Sequence, residues 1–195
     1  MKKLPLVVDD FLPGIFLNIL QDKILASTLP WYYYDFTTYY RKDGRGDRDV
    51  PLCMHDICID NISRSEVHNI LFPFFYYMDE QLNFRLEEIH RIRANMTFKT
   101  EKSFPLPPHV DISSNDFVFI FYLNDTDGDT ILYNEKAIDT GPRVRRLTDV
   151  SIYRFIKPKA NRLVIFEGDR FHSSSTSSTA DRRVLLNFNV SGQFK

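Results

Sequence analysis

The sequence has little cysteine, almost no net charge and no long apolar run. Its two cysteines, Cys53 and Cys58, lack the second pair that a structural zinc site needs. They read as buried free thiols of a reducing compartment, with a local disulfide or a metal role as the alternative. The formal net charge of -1 excludes a global pull toward nucleic acid or an anionic membrane. No apolar stretch reaches the length of a membrane span, and Met1-Lys2-Lys3-Leu4-Pro5 opens no signal peptide. Internal repeats and long linkers are also missing. What remains is a globular composition: 195 residues, 43% hydrophobic, with 17 Phe and 10 Tyr. These bounds predict one domain over residues 1–195, in the cytoplasm, without a membrane partner.

The first part of the chain reads as helical support, to about residue 86. Val7-Val8 suits a short strand. Pro13 is placed as a first-turn helix proline. Ile15, Phe16, Ile19, Leu20 and Ile24 follow at helical spacing, as in an amphipathic helix packed on a sheet. Trp31 to Phe36 reads as an aromatic strand. Arg41 to Asp49 reads as a solvated loop or a lid. Ser63-Arg64-Ser65-Glu66 fits a capping box, and Pro73 should kink or restart the helix that follows. His55, His68 and His90 have no partner at ligand spacing and read as structural.

From about Glu87 the apolar period changes to two, and residues 87–195 read as a strand-rich core. Glu87 to Phe98 is one strand. Phe117 to Leu123 is apolar on both faces, as in a central strand. Thr130 to Tyr133, Ile152 to Ile156, Arg162 to Phe166 and Arg183 to Val190 follow. Turns separate them, with Asn161 suited to a left-handed conformation. Helices first and then many short strands predict a mainly β fold with N-terminal helices, closed like a jelly roll.

His109-Val110-Asp111 is the motif around which these elements make chemical sense. In a strand, His109 and Asp111 would share a face. Joined by His172, they would form a 2-His-1-carboxylate face, the open-sided donor set of non-heme Fe(II). Ten and eleven residues beyond His172 stand Arg182 and Arg183, and a planar guanidinium there suits a dicarboxylate co-substrate.

Six segments together resemble a known family: His109-Val110-Asp111, Tyr122-Leu123-Asn124, Gly128-Asp129-Thr130, Pro158 to Arg162, Phe171-His172 and Arg183 to Asn187. They resemble the prolyl-4-hydroxylase-like Fe(II)/2-oxoglutarate oxygenases, in the short single-domain form carried by tailed phages. The resemblance spans about Leu6 to Val190 and is strongest from His109 onward. It implies a double-stranded β-helix, with His109, Asp111 and His172 on iron. It implies Tyr122 and an arginine on the far carboxylate of 2-oxoglutarate, with O2 as the oxidant. Arg183 is the first choice of arginine, because its alternation partners Leu185, Asn187 and Asn189 make the wetter strand face; Arg182 is the second. The carboxylate Asp111 favours hydroxylation over halogenation. Asn161 and Gly128-Asp129 depart from the family's glycines.

The family implies a peptide or protein substrate, a peptidyl proline first. A small molecule is the alternative. A nucleobase substrate is disfavoured by the charge and by Phe188-Asn189, which stand where a nucleic-acid demethylase places a second arginine. The Arg143-Val144-Arg145-Arg146 cluster suits a solvated loop as well as a phosphate contact. A non-catalytic jelly-roll binding or phage structural module is the competing class.

Overall fold

A computed structural model describes residues 3–26, 28–38, 48–111, 116–137 and 146–195. The strands are β1 (Leu6–Val8), β2 (Tyr32–Tyr34), β3 (Leu52–Ile59), β4 (Ile62–Ser63), β5 (Phe84–Phe98), β6 (Phe117–Tyr122), β7 (Thr130–Lys136), β8 (Ile152–Ile156), β9 (Leu163–Glu167), β10 (Arg170–Ser174) and β11 (Arg182–Phe194). Three α-helices accompany them, α1 (Gly14–Ile24), α2 (Val67–Ile70) and α3 (Phe72–Leu82), with one 3-10 turn at Leu147–Asp149. The fold is mainly β with few helices.

Among the described residues, a large sheet runs in the order β1-β9-β6-β11-β5-β3-β2, with β4 beside β3, and a small sheet runs β10-β7-β8. The pairs are antiparallel. From β6 onward the chain passes from the large sheet to the small one and back, twice. That winding is the double-stranded β-helix.

Alternation along the central strands builds two cores. Phe119, Phe121, Val184, Leu186 and Phe188 face α1 and α3 in the larger apolar cluster. There Phe74 of α3 stacks on Phe188 at 4.4 Å between ring centroids. Val118, Ile120, Tyr122 and Leu185 face the other way and meet Leu132, Ile156, Val164 and Phe166 between the sheets. Because both sides of β6 and β11 are covered, their sequences read as continuous apolar runs.

Several boundaries differ from the sequence reading. The segment before residue 87 supplies β1 to β4 as well as all three helices. Strand β3 was not legible, because its polar members His55 and Asp56 break a simple alternation. The Ser63–Glu66 capping box does not form. Ser63 belongs to β4, and Ser65 Oγ accepts the backbone N–H of Val67 at 3.2 Å and bonds His55 Nε2 at 2.7 Å. Glu66 pairs instead with Lys23 of α1. Pro73 sits in the first turn of α3, where its missing N–H is harmless, so the helix restarts there. Pro13 precedes α1 as its N-cap residue rather than sitting inside its first turn. Residues 41–47 of the charged loop and 143–145 of the arginine cluster lie outside the described residues. Both cysteines are free, and burial pushes their thiols up. Among the described residues, no helix is long and apolar enough to cross a membrane.

Asn161 has φ 66°, the left-handed region expected of it. Its side chain holds the loop before α1: Oδ1 accepts Leu12 N–H at 2.8 Å and Nδ2 donates to Leu12 O at 2.7 Å. A glycine would keep the turn but lose both bonds. Asn161→Ala should therefore lower stability by about 3 kcal/mol, combining two buried bonds and a left-handed alanine. Asn161→Gly should cost roughly 1 kcal/mol less. Urea unfolding of the two variants checks the order.

Candidate metal centre

His109 and Asp111 are not on a strand. His109 makes an isolated antiparallel bridge with His172 of β10, and Asp111 sits at the bend that follows. The same-face argument from strand alternation is therefore replaced by a different one. The bridge is closed by two backbone bonds, His109 N–H to His172 O at 2.8 Å and His172 N–H to His109 O at 2.9 Å. It sets the two imidazoles side by side, 4.6 Å between centroids.

The three side chains converge. His109 Nε2 lies 3.9 Å from Asp111 Oδ1, and His172 Nε2 lies 3.8 Å from Asp111 Oδ2. Donors held about 2.1 Å from a shared ion lie roughly 3–4 Å from one another, so this set fits a single metal. Among the described residues it is the one cluster of His, Cys, Asp or Glu able to hold one. Both imidazoles are also oriented for that task. His109 Nδ1 donates to Pro107 O and His172 Nδ1 to Arg170 O, each at 3.2 Å, which leaves the two Nε2 lone pairs facing the carboxylate.

Asp111 is held from the large sheet. Asn187 and Asn189 of β11 donate to Oδ2 at 2.7 and 3.1 Å, and Arg91 of β5 reaches Oδ1 at 3.2 Å. Burial opposes its ionisation, but Arg91, the imidazoles and Asn187 outweigh burial and hold the carboxyl well below the usual range. Arg91, Asn187 and Asn189 were not assigned to the site in the sequence. The alternation Arg183, Leu185, Asn187, Asn189 was the available signal.

Arg183 and Arg182 part company as neighbours on a strand must. Arg182 is exposed and reaches Leu25 O at 3.3 Å. Arg183 is buried between the sheets, with Nε on Gly128 O and Nη2 on Thr130 Oγ1, both at 2.8 Å. Thr130 also accepts the Tyr122 hydroxyl at 2.6 Å, so Arg183 and Tyr122 meet at one hydroxyl. Gly128 must be glycine here, since a Cβ would stand 2.8 Å from Ser175 O and 3.1 Å from Arg183 Cδ. Burial lowers the Arg183 pKa, and Tyr122 and Asp129 oppose it; a guanidinium stays charged regardless. Between Arg183 and the His–Asp cluster the wall is apolar: Leu185, Leu132 and Ile120. A separate cavity of about 590 Å³ lies on the outer face of the small sheet, lined by Ile131, Tyr133 and Phe155; none of the three candidate ligands borders it.

Residues 94–191, half of the chain, match the model of the 2OG-Fe(II) oxygenase superfamily. The chain belongs to that superfamily. Iron(II) and 2-oxoglutarate are the cofactors of this 2OG-Fe(II) oxygenase. No curated protein matches it by sequence. Among solved structures it is similar to SnoN, a non-heme α-ketoglutarate-dependent epimerase from nogalamycin biosynthesis. That match has 14% identity, covers 95% of this chain and 77% of the other, and has a TM-score of 0.63. A prolyl hydroxylase of Trichoplax adhaerens, in complex with a hypoxia-inducible-factor peptide fragment, shares 11% identity. It covers 95% and 82% of the two chains, with a TM-score of 0.55. A prolyl-4-hydroxylase of Pseudomonas putida shares 14% identity over 95% and 91%, at 0.54. At such identities the likeness is one of fold. His55, His68 and His90 lie away from the oxygenase centre. His55 bonds Pro30 O and Ser65, His68 packs edge-on to Phe75, and His90 faces Asp116.

Burial lowers the His172 pKa to about 4, with the His109 ring adding to the effect and Asp111 opposing it. The unfolded histidine binds a proton near pH 6.5 and the folded one does not. The stability from keeping it neutral is thus present above about pH 6.5 and lost as pH falls toward 4. The metal-free oxygenase should lose on the order of 3 kcal/mol through this group across that window. His172→Asn should flatten the slope of unfolding free energy against pH between 6.5 and 4; an unchanged slope would assign it to other groups.

Proposed function

We propose that this oxygenase hydroxylates an unactivated C–H bond of a peptide or protein, a peptidyl proline first, with residues 1–195 acting as one domain. The observation that carries the co-substrate side is Arg183. It is buried, and it has no ion pair among the described residues. Asp129 acts on it only through space, and a buried cation without a bonded counter-charge is costly. The far carboxylate of 2-oxoglutarate would supply that charge, paired with the guanidinium and bonded by the Tyr122 hydroxyl.

His109, Asp111 and His172 would hold the iron on one face and leave the opposite positions open. Iron and 2-oxoglutarate together supply the oxidising chemistry when bound. The chain's own residues do the rest. Asn187, Asn189 and Arg91 keep Asp111 ionised and oriented. The carbonyls of Pro107 and Arg170 hold the proton of each imidazole at Nδ1 and so present Nε2. Leu132, Ile120 and Leu185 exclude water along the keto-acid's path.

The peptide reading rests on resemblance to the short prolyl-4-hydroxylase-like enzymes of tailed phages, and the Trichoplax relative is described with a peptide. The fold likeness to SnoN supports a small-molecule substrate as the second reading.

Anaerobic addition of Fe(II) and 2-oxoglutarate should raise a visible band at roughly 500 nm, as expected for keto-acid chelation at open-sided Fe(II). His109→Ala and Asp111→Ala should abolish it together with succinate formation. A folded protein without the band would favour a non-catalytic jelly-roll module. Arg183→Ala should weaken 2-oxoglutarate binding by about a hundredfold, the loss of a buried charged pair, while Arg182→Ala should change it little. The reverse order would place the co-substrate on the wrong face of β11.

A further inference from the structure

The cavity of about 590 Å³ on the outer face of the small sheet holds none of the residues assigned to iron or 2-oxoglutarate. Its size falls within the roughly 300–1,000 Å³ of small-molecule sites. Strand register explains its shape. Directly opposed residues of an antiparallel pair share a face. Ile131 stands opposite Phe155, and Tyr133 opposite Ile152. All four point away from Leu132, which fills the space between the sheets. Ile131 and Tyr133 make a buried floor, where the Tyr133 hydroxyl bonds Ser173 Oγ at 2.9 Å. Phe155 and Ile152, 55% and 52% exposed, make an open rim.

Two carboxylates border this mainly apolar cavity, and no basic residue lines it among the described residues. Their situations differ. Asp127 is saturated: Ser177 and Thr179 bond its Oδ1, and Ser178 bonds its Oδ2 through both N–H and hydroxyl. The half-buried Asp129 carboxylate has no hydrogen bond or ion pair among the described residues. Burial pushes its carboxyl up, and Lys157 and Arg183 oppose burial only through space. A desolvated acid without a partner is costly, and the cavity offers it none. An anionic guest would meet two like charges. A neutral apolar guest would remove still more water from Asp129. An ammonium on an apolar body answers both needs, and the aromatic rings of Tyr133 and Phe155 suit either part of it.

Asp129 also stands between the two residues that hold Arg183. Gly128 O accepts Arg183 Nε and Thr130 Oγ1 accepts Nη2, both at 2.8 Å. A bare Asp129 carboxylate subtracts from the positive potential that a dicarboxylate meets at Arg183. A cation seated on Asp129 restores it. Coupling between two sites is reciprocal, so each ligand then favours the other.

We propose that the cavity on the outer face of the small sheet binds an organic ammonium ion with an apolar body, with Asp129 as its counter-ion, and that its occupancy tightens 2-oxoglutarate binding at Arg183. The second half rests on the oxygenase reading above; the first half does not.

Calorimetric titration of the full chain tests both halves. The probes are phenylbutylamine, phenylbutanol and phenylbutyrate, one apolar body with a positive, a neutral and a negative end. Wild type should bind the amine about tenfold more tightly than the alcohol, and the butyrate least. Asp129→Asn should bind amine and alcohol alike. 2-Oxoglutarate is then titrated into the anaerobic Fe(II) protein. In wild type, saturating amine should tighten its binding about fivefold. Asp129→Asn should start at the tighter value and ignore the amine. Phe155→Lys, at an exposed rim position, offers the cavity an ammonium of its own. It should lose amine binding and also start at the tighter value, so the test does not hang on the folding of one variant. The proposal is overturned by a wild type that binds no amine or binds amine and alcohol equally. It is also overturned by amine binding that either variant leaves unchanged, or by a 2-oxoglutarate affinity indifferent to the amine. A wild type that binds the amine but no 2-oxoglutarate would remove the oxygenase reading and leave the cavity assignment standing.

Discussion

Asp111 is a carboxylate taken out of water, and much of the surrounding structure serves to keep it charged. Burial alone favours its protonated form. Arg91 on β5 and Asn187 and Asn189 on β11 reverse that preference from three directions. The consequence is mechanical as well as electrostatic. Asp111 lies on a connecting segment, His172 lies on the small sheet, and the asparagines lie on the large one. One acid group therefore fastens three separate parts of the chain at a single point.

Such a clamp works only on a rigid wall. Strands β6 and β11 are covered on both sides, by helices and Phe74 behind and by the small sheet in front. Packing of that kind leaves little freedom for a strand to slide, and a one-residue slip of β11 would send Arg183, Asn187 and Asn189 into the helical core. The large aromatic content of the chain finds its use here. Phe11, Phe74, Phe121 and Phe188 fix the back of the sheet whose front carries the polar groups.

The front face is divided by chemistry along its length. At one end, asparagines and an arginine attend a carboxylate. In the middle, Leu185 and Ile120 are dry. At the other, Tyr122, Thr130 and the Gly128 carbonyl form a small polar nest around the buried Arg183 guanidinium. Across the sheet the edge strand β2 ends in the exposed tyrosines Tyr32 and Tyr34.

Much of this was legible beforehand, and the reason is local. The apolar runs of β6, β9 and β11, the stripe of α1, the proline restart at α3 and the left-handed Asn161 each follow from a few neighbouring residues. The wetter face of β11 pointed to Arg183 by alternation alone. Strand β3 and the neutralised capping box were not legible, because His55 and Ser65 bond each other across ten residues of chain rather than serving their own segments. His109 and Asp111 share a site for a reason the motif does not contain: a backbone bridge to His172 sets one, and side chains from β5 and β11 set the other. By itself the sequence determined which residues carry donors, which strand faces are apolar and where turns fall, since steric preference and periodicity act over short spans. Only the tertiary structure decided that residues 91, 111, 172, 187 and 189 meet, because contacts between segments far apart in the chain depend on strand register, which neighbouring residues do not encode.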